Sequence, residues 1–176
     1  MRETLRVNAD RANVIKNKYL KSLEERLAIS LEISDSTITI EGEANDVFFA
    51  KPIIEAIGRG FSLDDALKLL NSNYTLHIIE LRDFCNSDSC MERVKARVIG
   101  RGGSIKTTIE RATDSKISVF GHTVAVIAPL YSISYALEAL SKIIRGAKHT
   151  SVLNYLSSIR KQLYYEKLSG KNYKSL

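Results

Sequence analysis

The stretch Val98-Ile99-Gly100-Arg101-Gly102-Gly103-Ser104-Ile105-Lys106 decides how this chain folds. Two β-branched apolar residues lead into a Gly-x-x-Gly loop carrying an arginine, and an apolar residue and a lysine follow within one turn. Glycine has no Cβ, so Gly100 and Gly103 permit positive φ and the close approach of another backbone. Ser104 is placed to cap the helix that follows, whose first amides point back at the loop. A phosphodiester crossing such a loop meets amide donors, a helix N-terminus and the Arg101 guanidinium. The plainer alternative is a helix–turn–helix joint in which the glycines only relieve crowding. Two other glycine motifs do not fit. A dinucleotide fingerprint needs a third glycine where Ile105 sits, and a P-loop needs Lys-Ser/Thr directly after its last glycine, whereas Lys106 is the third residue past Gly103.

Outward from the loop, the chain repeats itself. At an offset of 86, residues 23–60 lie on 109–146 without a gap, with identities at Glu24/Glu110, Thr37/Thr123, Ala50/Ala136, Ile57/Ile143, Arg59/Arg145 and Gly60/Gly146. The apolar pattern matches as well: Leu31 and Ile33 fall on Ile117 and Val119, and Ile38 and Ile40 on Val124 and Val126. One fold used twice is the simplest account. Each copy reads as an opening strand, a helix, a joint, a second helix (20–28 and 104–113), two alternating strands (29–33 and 37–41; 116–120 and 123–127) and a longer helix (46–58 and 130–145). Asp35-Ser36 and Gly121-His122 stand at the hairpin turns, and Gly60 and Gly146 just past the long helices.

An appended helix follows each copy, started by Ser62 with Asp65 in the first and by Thr150 or Ser151 in the second. The predicted fold class is therefore α+β: two modules, 1–72 and 73–165, each with a three-stranded antiparallel sheet packed on helices, then a loose basic tail over 166–176. Where the second copy has glycines, the first has Ile15-Lys16-Asn17-Lys18-Tyr19, whose side chains obstruct a backbone.

Charge separates the copies further. Residues 1–23 carry net +4, residues 24–83 net −7 and residues 84–176 net +9, within an overall +6. The second half is thus expected to meet a polyanion, and the acidic middle to be structural or partner-facing. Hydrophobic content of 44% is ordinary for a globular chain. No apolar run approaches the ~18 residues of a membrane span, and Met1 to Asp10 has no apolar signal core, so a soluble cytoplasmic protein is expected. Cys85 and Cys90 bracket polar residues on a loop; free thiols are expected ahead of a local disulfide, which nothing in the sequence requires, and a metal would need two more ligands. No catalytic, metal or cofactor site and no small-molecule substrate is expected, since no nucleophile or metal-ligand motif occurs.

The order strand–helix–Gly-x-x-Gly–helix–strand–strand–helix resembles a type I KH domain, whose loop clamps single-stranded nucleic acid over about four nucleotides. More narrowly, the chain resembles the archaeal tandem-KH counterparts of the eukaryotic partner-of-Nob family, which act in small ribosomal subunit assembly. The marks are Ala56-Ile57-Gly58-Arg59-Gly60-Phe61-Ser62, Leu81-Arg82-Asp83, Ser118-Val119-Phe120-Gly121 and Gly146-Ala147-Lys148-His149. The resemblance implies binding to the 3′ region of small-subunit rRNA, cooperation with a Nob-type endonuclease, and a degenerate first module, in line with the residues around Lys16. Lys148 departs from a proline common in the family, and the stretch after His149 is less arginine-rich.

On this reading, single-stranded RNA contacts Gly100, Arg101, Gly102, Gly103, Ser104 and Lys106. Val98, Ile99, Ile105, Ile117 and Val119 floor an apolar groove, base edges are read near Ser118, and Arg93, Lys95 and Arg97 line the approach. The apolar set also fits plain core packing, and the cations a solvated face. Two other roles remain open: a protein scaffold that docks an rRNA-processing endonuclease, and a translation-associated RNA-binding protein.

Overall fold

Ile29, Leu31 and Ile33 alternate with Ser30, Glu32 and Ser34, and this period of two makes Ile29–Ser34 a strand with one face turned inward. The same logic runs through both halves of the computed structural model, which describes the backbone of residues 1–172 and the side chains of residues 1–169. The chain divides between Ser72 and Asn73 into two units.

The first unit runs β1 (Arg2–Arg6), α1 (Ala9–Val14), a π-helical turn (Ile15–Tyr19), α2 (Leu20–Leu27), β2 (Ile29–Ser34), β3 (Thr37–Gly42), α3 (Ala44–Gly58) and a short α4 (Leu63–Ala66). The second runs β4 (Tyr74–Glu80), α5 (Asp88–Ile99), α6 (Ser104–Thr113), β5 (Lys116–Phe120), β6 (Thr123–Pro129), α7 (Ile133–Ile144) and α8 (His149–Asn172). Each unit has a three-stranded antiparallel sheet, ordered β1-β3-β2 and β4-β6-β5. The α+β class and the paired small sheets follow the sequence expectation.

The internal repeat holds to the level of single hydrogen bonds. Glu24 Oε1 accepts the Leu31 amide at 2.9 Å, and Glu110 Oε1 accepts the Ile117 amide at 2.7 Å. Leu31 pairs with Ile40, and Ile117 with Val126. Gly60 and Gly146, at φ +98° and +99°, end α3 and α7 in the left-handed turn that L-residues avoid. The joints differ: the first unit passes from α1 to α2 through the π turn, and no glycine opens the chain there. Ser62 caps α4 by accepting the Asp65 amide.

Buried Val94, Val98, Ile105, Ile109, Ile117, Val126, Leu140 and Ile143 build the core of the second unit, and α8 closes it with Val152, Leu156, Ile159 and Leu163. That stripe has helical spacing and covers apolar side chains that α6 and α7 would otherwise expose. α8 begins at His149, so Thr150 and Ser151 lie in its first turn and do not precede it as caps. It also continues past Tyr165. The tail expected over 166–176 is helical as far as Asn172, and residues 173–176 lie outside the described residues. Polar ties hold this end: Tyr135 donates to Glu166 at 2.8 Å, and Lys167 donates to Asp114 at 2.5 Å.

Cys85 and Cys90 are not the expected free thiols. The turn Leu81–Asp83 ends beside Cys85, and α5 already includes Cys90, so their Cα atoms lie 5.5 Å apart and the sulfurs are bonded. That separation is ordinary for a disulfide. Polarity placed both residues on one loop, but it does not register that a short turn folds the chain back on itself.

Candidate nucleic-acid interface

The Gly-x-x-Gly segment breaks the path from α5 to α6 with three positive φ angles: +73° at Gly100, +58° at Gly102 and +77° at Gly103. The Gly103 amide donates to the Gly100 carbonyl at 3.2 Å and closes the turn. The glycines do different work. A Cβ on Gly100 would lie 2.5 Å from Ile105 Cγ1 and 2.9 Å from the Ile105 nitrogen, whereas one on Gly102 or Gly103 would meet nothing within 4 Å. The first glycine therefore lets α6 pack against the loop. The other two leave one side of the peptide bare toward open space.

Ser104 does not cap α6 as expected. It is the first helical residue, the N-cap is Gly103, and no side chain accepts from the first-turn amides. The left-handed Gly103 turns the chain directly into the helix, so the serine arrives one position too late. The uncapped amides leave donors and the positive end of the helix dipole at the loop. Arg101 is exposed beside them. Lys106 is half-buried, and its Nζ lies 3.5 Å from Glu110 Oε1.

The expected apolar floor divides. Val98 is fully buried, and Ile117 and Ile105 are 3% and 8% exposed, so these three serve the core and cannot line a groove. Val98 follows Met91 and Val94 on the inward side of α5, and Ile117 faces the buried Val126 across the sheet. Ile99, 38% exposed, is the member of the set that reaches the surface. Val119 and Ser118 are intermediate, with Val119 packed against the core.

The cation set also divides, because Arg93, Lys95 and Arg97 sit on a helix. A two-residue step on a helix turns successive side chains about 200° apart, so no single face holds all three. Arg93 is exposed. Lys95 pairs with Glu92 and donates to the Gly121 carbonyl at 3.0 Å. Arg97 donates to the Ala147 carbonyl, and its own carbonyl lies 3.0 Å from His149 Nε2. Lys95 and Arg97 thus fasten α5 to the β5–β6 turn and to the start of α8.

Residues 75–161 match the family described as eukaryotic type KH-domain (KH-domain type I). The chain is 36% identical over 170 residues to a KH domain-containing protein of Methanocaldococcus jannaschii, covering 92% of this chain and 75% of that protein. The chain belongs to the PNO1-like family of KH-domain proteins. Within that family it is 29% identical over 137 residues to the pre-rRNA-processing protein PNO1 of Chaetomium thermophilum, covering 76% of this chain and 52% of that protein. It therefore spans about half the length of that eukaryotic relative. Among solved structures it matches a chain in the a/eIF2α–aDim2p–rRNA complex of Pyrococcus horikoshii, with TM-score 0.84 and 33% identity over 92% of this chain and 95% of that one.

In this PNO1-like KH chain, Arg111 lies outside the set of residues expected from the sequence. It lines a groove of about 450 Å³ between α6 and α8, together with Thr108, Ala112, Leu153, Leu156, Ser157 and Arg160. The available signal was the spacing Ser104, Thr108, Arg111, one stripe of a helix that starts at the loop. Among the described residues, no group of three or more His, Cys, Asp or Glu side chains is placed to hold a metal, and no helix is long and apolar enough to cross a membrane.

Proposed function

We propose that this chain is a single-stranded RNA-binding factor of small ribosomal subunit biogenesis, which engages the 3′ region of small-subunit rRNA through the Gly100–Gly103 loop. The observation that carries this reading is the open space beside Gly102 and Gly103, next to the exposed Arg101 and the uncapped start of α6. A phosphodiester resting there meets amides and a guanidinium without a side chain in the way. The positive surplus of the second half supports the same partner. The rRNA target is supported by the pre-rRNA-processing relatives and by the rRNA-containing Pyrococcus complex.

The first unit has no such loop and carries acidic residues. A protein partner such as a Nob-type endonuclease is the second role this unit could serve, and its Phe48 is 70% exposed on α3. Scaffolding and RNA binding are compatible, and a pull-down with and without RNase separates them.

The loop is tested with Gly102→Asp combined with Gly103→Asp. Aspartate is among the residues that tolerate left-handed φ, so the fold is retained, while two carboxylates repel phosphate. RNA affinity at fixed salt falls more than tenfold, a loss of ~1.4 kcal/mol or more. Unchanged affinity in a well-folded variant removes the loop from the mechanism. Crosslinking and sequencing of bound RNA identifies the target region.

A further inference from the structure

The start of α8 is tied to the loop end of α5 through Arg97, Ala147 and His149, and its far end is tied to Asp114, just past α6, through Lys167. α6 and α8 therefore run in the same sense, and the groove between them starts at Thr108, about one turn into α6 from the glycine loop, and leads away from it. One wall is formed by Thr108 and Arg111 of α6, at i and i+3; the other carries Ser157 and Arg160 of α8 at the same spacing, with Ala112, Leu153 and Leu156 between them. Among the described residues no acidic side chain lines this groove, and both arginines are exposed. Tyr164, one turn beyond Arg160, is 62% exposed. Two guanidiniums and two hydroxyls line one channel, and an exposed aromatic ring follows one turn on along α8, the kinds of group that hold a single-stranded nucleic acid.

We propose that the α6–α8 groove is a second RNA contact, in which Arg111 and Arg160 hold phosphodiesters of the strand leaving the glycine loop and Tyr164 stacks a base. This extends the RNA-binding reading above and rests on it. The loop clamps about four nucleotides, so the groove acts only on a strand long enough to run past them. It lengthens the footprint and raises the salt dependence, because each neutralised phosphate on a single strand adds about 0.7 to the log–log salt slope.

The test titrates the full chain with mixed-sequence single-stranded RNA of about four nucleotides and of roughly three times that length. Arg111→Gln with Arg160→Gln is expected to leave the short RNA unaffected and to weaken the long one about tenfold, with a shallower salt slope. Tyr164→Ser weakens the long RNA several-fold, and Tyr164→Phe restores it. Gly102→Asp with Gly103→Asp weakens both lengths, and if it does not, the loop reading itself fails. If the loop variant loses binding while the arginine pair leaves both lengths unchanged, the groove proposal falls and the loop stands. An arginine variant that loses poly-glutamate binding but keeps long RNA also overturns it and assigns the groove to an acidic protein. Unchanged thermal unfolding of each variant shows that the loss lies in binding.

Discussion

Gly100 sits against Ile105 so closely that a methyl group added to the glycine would overlap the isoleucine side chain, at 2.5 Å from Cγ1. Its backbone, at φ +73° and ψ 174°, also lies in a region essentially reserved for glycine. Overlap and strain act together, so Gly100→Ala is expected to destabilise the second unit by about 2 kcal/mol or more. Gly102→Ala carries the strain without the overlap and costs less. Thermal unfolding of the two variants checks the order, and equal losses would show that Ile105 moves aside freely.

Glu110 deserves its identity with Glu24 for a reason visible only in three dimensions. Each carboxylate reaches across from the second helix of its unit to one amide near the start of the next strand. Glu110→Ala leaves the Ile117 amide without its acceptor and is expected to cost roughly 1–3 kcal/mol. Glu110→Gln keeps an acceptor oxygen and recovers most of the loss. Urea unfolding of both variants separates the hydrogen bond from the charge.

What could be read from the sequence follows the same division. The period-two strands, the offset of 86 and the end glycines are local or repeated signals, and the sheets appear where they place them. Val98 and Ile117 fit either the core or a groove from the sequence, because hydrophobicity alone does not say which apolar residues face which; their burial decides for the core. The positions of Lys95 and Arg97 depended on a helix phase that a run of alternating cations conceals. The bond between Cys85 and Cys90 and the tie from Lys167 to Asp114 are set by how the chain turns back, which no short window of sequence contains.

Arg97 makes a structural contact where a phosphate contact was expected. Its guanidinium donates to the Ala147 carbonyl at the entry to α8. A charged hydrogen bond of this kind contributes about 1.5–3 kcal/mol, so Arg97→Ala lowers the unfolding temperature of the second unit by several degrees. RNA affinity measured well below that temperature changes little. Loss of RNA affinity at unchanged stability would return Arg97 to the binding surface.

The end of α8 is expected to respond to acid through Asp114. Partial burial raises the Asp114 pKa, but hydrogen bonds from Lys167 and Tyr131, at 2.5 and 2.6 Å, outweigh it and hold the carboxyl below its ordinary value. Burial and then Asp114 itself push the Tyr131 hydroxyl in the opposite direction, so it stays protonated as the donor. A depressed carboxyl stabilises the fold fully above its unfolded pKa, about 3.9. That contribution is lost as pH falls through the lower, folded value. The Asp114 side chain is 41% exposed, so solvent screening keeps the contribution within the roughly 0–1 kcal/mol of a surface pair. Asp114→Asn keeps a residue suited to the left-handed φ of +50° and removes only the charge. The variant is therefore less stable than the parent near neutral pH, and the two unfolding temperatures converge as pH falls through the depressed, folded-state pKa of Asp114. A gap that persists unchanged at low pH would mean that the Asp114 proton is not linked to folding.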